Sequence, residues 1–206
     1  MDMRTLSVSR AFYWEVGAMI WLVVEAILSL AAASQAHSLA LTGFGMDSLI
    51  ELVSAGILVW RLRVEMLGVS DDVVHHTENV ATWWTAGLLG LLFLYLMGGS
   101  IWALTVHNTV RPSLLGVLVM VISGLLMVLI ARRKKQLGVA IQSTALQADA
   151  MESWTCAFMA WTGLAGTLGV WVLGWTWMDP AAALIIAYWV AKEAWEAFAE
   201  VREPKN

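Results

Sequence analysis

One cysteine, Cys156, stands in 206 residues, so no intrachain disulfide can form. Charge is nearly as scarce. Asp, Glu, Lys and Arg make up 14% of the chain against 60% hydrophobic residues, and the mean hydropathy is +0.72. A soluble domain of this size could not cover that much apolar surface. A soluble fold is therefore excluded, and an all-α polytopic membrane protein is expected. The net charge of −4 is mild, and no basic patch remains once topology is assigned, so nucleic acid is not an expected partner. The N-terminal MDMRTLSVSR is polar and has no cleavage pattern. The first apolar segment is thus expected to remain as a span. No serine–histidine or metalloprotease spacing is present, so an intramembrane enzyme is not expected.

What the chain does have is apolar windows of about 20 residues. Six are predicted, at about 12–34, 38–62, 81–106, 112–131, 137–170 and 180–199, within a single transmembrane domain covering 1–206. The basic residues orient them. Arg4 and Arg10 precede the first span, Arg61 and Arg63 close the second, and Arg132, Arg133, Lys134 and Lys135 separate the fourth from the fifth. Lys192, Arg202 and Lys205 close the chain. With six spans, 11 of the 12 basic residues fall on one side and only Arg111 on the other. Both termini are therefore expected in the cytoplasm, with the protein in the cell membrane. The fifth window is long: at 1.5 Å per residue it reaches ~50 Å against a ~30 Å hydrocarbon core. Its polar first half, with Gln142, Gln147 and Asp149, is expected to line a wet cytoplasmic opening.

Two stretches repeat one another. SLALTGFGMDSLIE (38–51) and STALQADAMESWTC (143–156) agree at Ser38/Ser143, Ala40/Ala145, Leu41/Leu146, Met46/Met151 and Ser48/Ser153. Asp47 falls over Glu152 and Glu51 over Cys156. The copies sit in the middle span of each three-span half, which predicts an inverted 3+3 repeat with a shared site near the bilayer midplane. Spacing supplies the chemistry. Asp47 and Glu51 are four apart, as are Glu152 and Cys156, so each pair shares a helix face. Asp149 extends the second face one turn toward the cytoplasm. A charged side chain at the bilayer centre costs ~3 kcal/mol or more. Crowded carboxylates would hold protons when empty, and a divalent cation would favour their ionised forms. Binding would then release protons, which is the chemistry of a proton–cation exchanger. The plainer alternative is a set of protonated acids that only hydrogen-bond between helices. For Cys156, spacing serves packing and ligation equally well.

At these residues the sequence resembles the cation diffusion facilitators. SLALTGFGMDSLIE is similar to their second-span signature, with Asp47 and Glu51 at ligand positions. ALQADAMESWTC is similar to the fifth-span signature, with Glu152 standing for the usual histidine and Cys156 for the usual aspartate. WMDPAAALIIAYWVAKEA, at the sixth span, is similar too. The resemblance implies six spans with cytoplasmic termini, a homodimer, and efflux of a divalent cation bound by Asp47, Glu51, Glu152 and Cys156. It also implies a short branch without the family's C-terminal soluble domain. The ion expected is zinc, with cadmium next and manganese, iron or cobalt as alternatives, because a thiolate among carboxylates shifts preference toward softer ions. The metal is substrate, exchanged for protons, and no organic cofactor is expected. The rival reading is a non-transporting membrane sensor or structural subunit.

Further candidates lie outside the repeat. Glu25, in the middle of the first span, could relay protons or simply bond a neighbouring helix. Asp149 could receive the ion on its way in. The loop expected at DDVVHHTE carries Asp71, Asp72, His75, His76 and Glu78; the resemblance implies that it can bind zinc, and a solvated polar loop is the plainer reading. His37 and His107 are expected at the outer surface. Asp179-Pro180 reads as a helix start with aspartate as N-cap. Gly43 and Gly45 suit close helix approach, and the tryptophans at 83, 84, 175 and 177 suit interfacial belts.

Overall fold

Runs this apolar can satisfy their backbone N–H and C=O groups away from water only by closing into helices. The structure, a computed structural model, describes the backbone of residues 3–67, 71–106 and 110–202, and the side chains of 9–60, 63, 82–106, 110–143 and 146–199. Six helices form: α1 (Met3–Ala36), α2 (Leu39–Leu67), α3 (Asp71–Val106), α4 (Leu114–Ala140), α5 (Thr144–Leu173) and α6 (Met178–Arg202). The first five are long and apolar enough to cross a membrane. α6 is not among those five; it carries Asp179, Lys192, Glu193 and Glu196 along its 25 residues.

Helix neighbours repeat between the halves. α1 packs on α2 as α4 packs on α5, and α2 meets α3 as α5 meets α6. Across the halves each helix meets its counterpart: α1 with α4, α2 with α5, α3 with α6. An odd number of helices per half reverses the direction of the second, so the pairing is that of an inverted repeat. The core between them holds Leu22, Leu41, Phe44, Leu96, Met120, Met159 and Ile186. Ile20, Ile27, Leu91, Leu94, Trp102 and Val172 point outward and exposed, as lipid-facing residues do. Trp83 and Trp84 are exposed at the start of the apolar stretch Thr82–Val106 of α3, and Trp175 and Trp177 are exposed in the turn between α5 and α6.

The motif repeat is a repeat of structure. Ser38 and Ser143 both cap: Ser38 Oγ accepts from Leu41 N at 3.0 Å, and Ser143 Oγ accepts from Leu146 N at 3.3 Å. Leu41 and Leu146 are buried, while Met46 and Met151 are exposed. Ser48 and Ser153 are buried, and each hydroxyl bonds the carbonyl four residues back, of Phe44 and Asp149. Gly45 brings α1 close: a Cβ there would meet Leu30 Cγ at 2.9 Å.

Two local readings differ from expectation. The basic cluster 132–135 does not separate helices. α4 runs through it to Ala140, and the turn falls at 141–143, with Gln142 at φ 56°. Arg and Lys are good helix formers, and a run of charge need not be a loop. Asp179 does not cap its own helix, which starts at Met178. Its carboxylate reaches across to α2 instead, accepting from the Ser38 hydroxyl and from Leu39 N at 2.8 Å. It is structural as expected, but it ties the start of α6 to the start of α2.

Candidate cation-binding cavity

α2 and α5 run antiparallel, and two side-chain links set their register. Ser54 Oγ donates to Glu152 Oε2 at 3.3 Å. Nearer the middle of the bundle, Ser48 on α2 and Cys156 on α5 both reach Glu25 on α1. Asp47 therefore lies near the level of Cys156, and Glu51 near that of Glu152.

A cavity of about 440 Å³ opens between α2, α3, α5 and α6. That is ample for several waters. Asp47, Glu51, Asp149, Glu152 and Glu193 line it, with Ser54, Thr82, Thr85 and Thr155 between them. The lining runs from mid-helix, at Asp47, Leu89 and Thr155, to Leu58 and Ala197 near the end of the bundle that carries the basic residues. At that mouth Lys192 pairs with Glu196 at 3.4 Å, both partly exposed. Glu51 is buried, and no hydrogen-bond donor reaches either of its oxygens. Among the described residues, no three His, Cys, Asp or Glu side chains converge tightly enough to enclose a bare ion in this conformation. The carboxylates instead line an open space.

Cys156 does not itself line the cavity, although its side chain lies beside Glu51, which does. Its thiol is buried and lies 3.5 Å from Glu25 Oε1. Glu25 also accepts from Trp21 Nε1 at 2.9 Å and lies 2.6 Å from Ser48 Oγ. Ser48 has one proton and two acceptors, since Phe44 O is 2.9 Å away. It can donate to an ionised Glu25, or donate to Phe44 O and accept from a protonated one. Glu25 therefore sits where either protonation state is satisfied, behind the cavity and between α1, α2 and α5.

Asp149 shares the cavity wall, yet its carboxylate is held from the other side by Lys134. The Lys134 ammonium is 2.5 Å from Asp149 Oδ2 and 2.9 Å from Glu15 Oε2, with 1% of its side chain exposed. Arg132, Arg133 and Lys135, its neighbours in sequence, all face outward.

Three of these residues were not found by the sequence reading. Glu15 and Glu193 lie inside or beside apolar windows, and that placement was the available signal. Lys134 was hidden in a run of four basic residues, where nothing in composition separates the inward one. The stretch from Asp71 through Glu78, expected as a loop site, is helical: α3 begins at Asp71. The side chains of Asp72, His75, His76 and Glu78 lie outside the described residues, as does His107. His37 is exposed at the α1–α2 turn with φ 52°.

Residues 18–203 match the family model described as the cation efflux transmembrane domain. The chain belongs to the cation efflux family. The chain is 25% identical over 179 residues to the "Uncharacterized transporter YdbO" of Bacillus subtilis, covering 85% of this chain and 61% of that one. It is 24% identical over 170 residues to the "Manganese efflux system protein MneS" of the same organism, covering 80% of this chain and 57% of that one. The cation efflux domain here thus spans about three fifths of the length of these relatives. The match takes in all of the repeat and the cavity.

Proposed function

We propose that this protein exports a divalent cation from the cytoplasm in exchange for protons. The single observation that carries the reading is the cavity: carboxylates from α2, α5 and α6 line a space that admits water and runs from mid-bundle to the basic end. The positive-inside rule makes that end cytoplasmic. The conformation is then inward-facing, and a hydrated cation loads from the cytoplasm. Asp47, Glu51 and Glu152 receive it, with Glu193 added from α6. Rocking of the halves about the inverted repeat would expose the same acids to the outside, where protons replace the metal.

The expectation of zinc depended on sulfur. With the Cys156 thiol directed at Glu25, an ion in this cavity meets oxygen donors. Oxygen donors suit manganese(II) better than they suit zinc or cadmium. Similarity to a protein named for manganese efflux points the same way. The preferred substrate in this reading is manganese(II), with zinc next. The homodimer remains an expectation, checked by the mass of the protein in detergent.

The test is cation uptake into proteoliposomes under an imposed pH gradient. Wild type should take up manganese, and Asp47→Asn should lose about a hundredfold in rate while keeping its fold. Undiminished flux in Asp47→Asn, or no flux of manganese or zinc in folded wild type, would leave the acids as an internal network of a non-transporting protein.

A further inference from the structure

Two of the buried acids already hold a cation. The Lys134 ammonium bridges Glu15 of α1 and Asp149 of α5, at 2.9 and 2.5 Å, from a position on α4. The three side chains are almost wholly buried. Cation and ligands come from three different helices, as in a metal site inside a helix bundle. Both carboxyl groups are buried and lie within hydrogen-bond reach of one another as well as of Lys134. Two carboxylates this close can share a proton, which together with the ammonium balances their charge. A divalent ion in the same place would replace ammonium and proton together and could take an oxygen from each acid. Asp149 moreover is among the residues that line the cavity, which places this cluster beside it.

We propose that the Lys134 ammonium is a tethered resident cation filling a second divalent-cation site, built from Glu15 and Asp149 beside the transport cavity. Lysine suits the task. It is a compact charge on a flexible stem, it matches a cation in position, and it cannot be carried across the membrane. By occupying Asp149 it keeps that carboxylate from the mobile ion, which is left to Asp47, Glu51, Glu152 and Glu193. It also prevents a second metal from lodging where α1, α4 and α5 meet and locking them together. The part of this inference that concerns transport rests on the efflux reading. The existence of the masked site does not.

The experiment counts manganese bound per chain in detergent-purified protein, from the loss of the free-ion electron paramagnetic resonance signal. Compared are wild type, Lys134→Met, Lys134→Arg and the triple variant Glu15→Gln/Lys134→Met/Asp149→Asn. Lys134→Met should bind one more ion per chain than wild type, and the other two variants no more than wild type. An unchanged count in folded Lys134→Met overturns the proposal, as does an equal gain in the triple variant. Were Lys134→Met to unfold when metal-free, manganese must restore its thermal transition, and failure to do so overturns the proposal too. A wild type that binds nothing would count against the efflux reading, yet the difference between Lys134→Met and wild type would still be read.

Discussion

Glu15 and Asp149 form one acidic region of this molecule, and Asp47, Glu51 and Glu193 belong to another. Both lie deep among helices, where uncompensated charge is costly. The first region closes on an internal ammonium, with Asp149 alone reaching the cavity wall. The second faces a space large enough for several waters. The difference separates acids that hold the bundle together from acids positioned to meet something mobile. Neutralising one member should therefore have opposite consequences in the two regions.

The largest expected effect is on stability. Lys134→Met leaves two buried carboxylates facing each other without their cation. Breaking a buried pair on one side costs about 3–5 kcal/mol. In metal-free detergent solution its thermal transition should fall well below that of wild type. The triple variant, which removes the acids as well, should recover most of the loss. Asp47→Asn should leave the transition almost unmoved while flux disappears. Equal destabilisation by both changes would erase the distinction between the regions.

How much of this could be read beforehand follows from what the sequence encodes locally. Hydropathy and basic-residue bias yield the helices, since membrane spans carry their signal in their own composition. The repeat holds up residue by residue: a capping serine, a buried leucine, an exposed methionine, an acid and a back-bonded serine recur in α2 and α5. Pairing across the bundle is the part not encoded locally. Lys134 differs from Arg133 only in which way its helix is turned. Asp179 carries an ordinary helix-start signal and spends its carboxylate on another helix. Spacing placed Glu152 and Cys156 on one face of α5, but not where that face meets α1. There the thiol meets Glu25 while staying beside Glu51 of the cavity wall.

The next effect concerns the cavity alone. Glu193 comes from α6, outside both copies of the motif, and stands on the same wall as Asp47 and Glu152, beside Thr155. Glu193→Gln keeps the shape and removes one charge. Manganese affinity should fall about tenfold, the worth of ~1.4 kcal/mol, with the melting temperature unchanged. Isothermal titration in detergent measures it. Unaltered affinity would put Glu193 with the mouth pair Lys192–Glu196 as a solvated charge and leave the cavity to the motif acids.

The smallest effect is expected at Cys156, and it decides how far the two regions account for the chemistry. Serine in its place keeps a donor toward Glu25 and removes sulfur. Where the thiol serves Glu25, Cys156→Ser should leave manganese flux within about twofold of wild type and alter zinc flux no more than manganese flux, since neither ion meets sulfur in an oxygen-lined cavity. A thiolate that swings to the metal during transport gives another result. Zinc and cadmium flux would then drop by about an order of magnitude or more while manganese flux held, because softer ions depend on sulfur and manganese does not. Uptake of the three ions into the same proteoliposomes separates these outcomes. The second would mean that α5 turns relative to α1 during the cycle, bringing Cys156 from the Glu25 side to the cavity side and joining a third group of residues to the transport path.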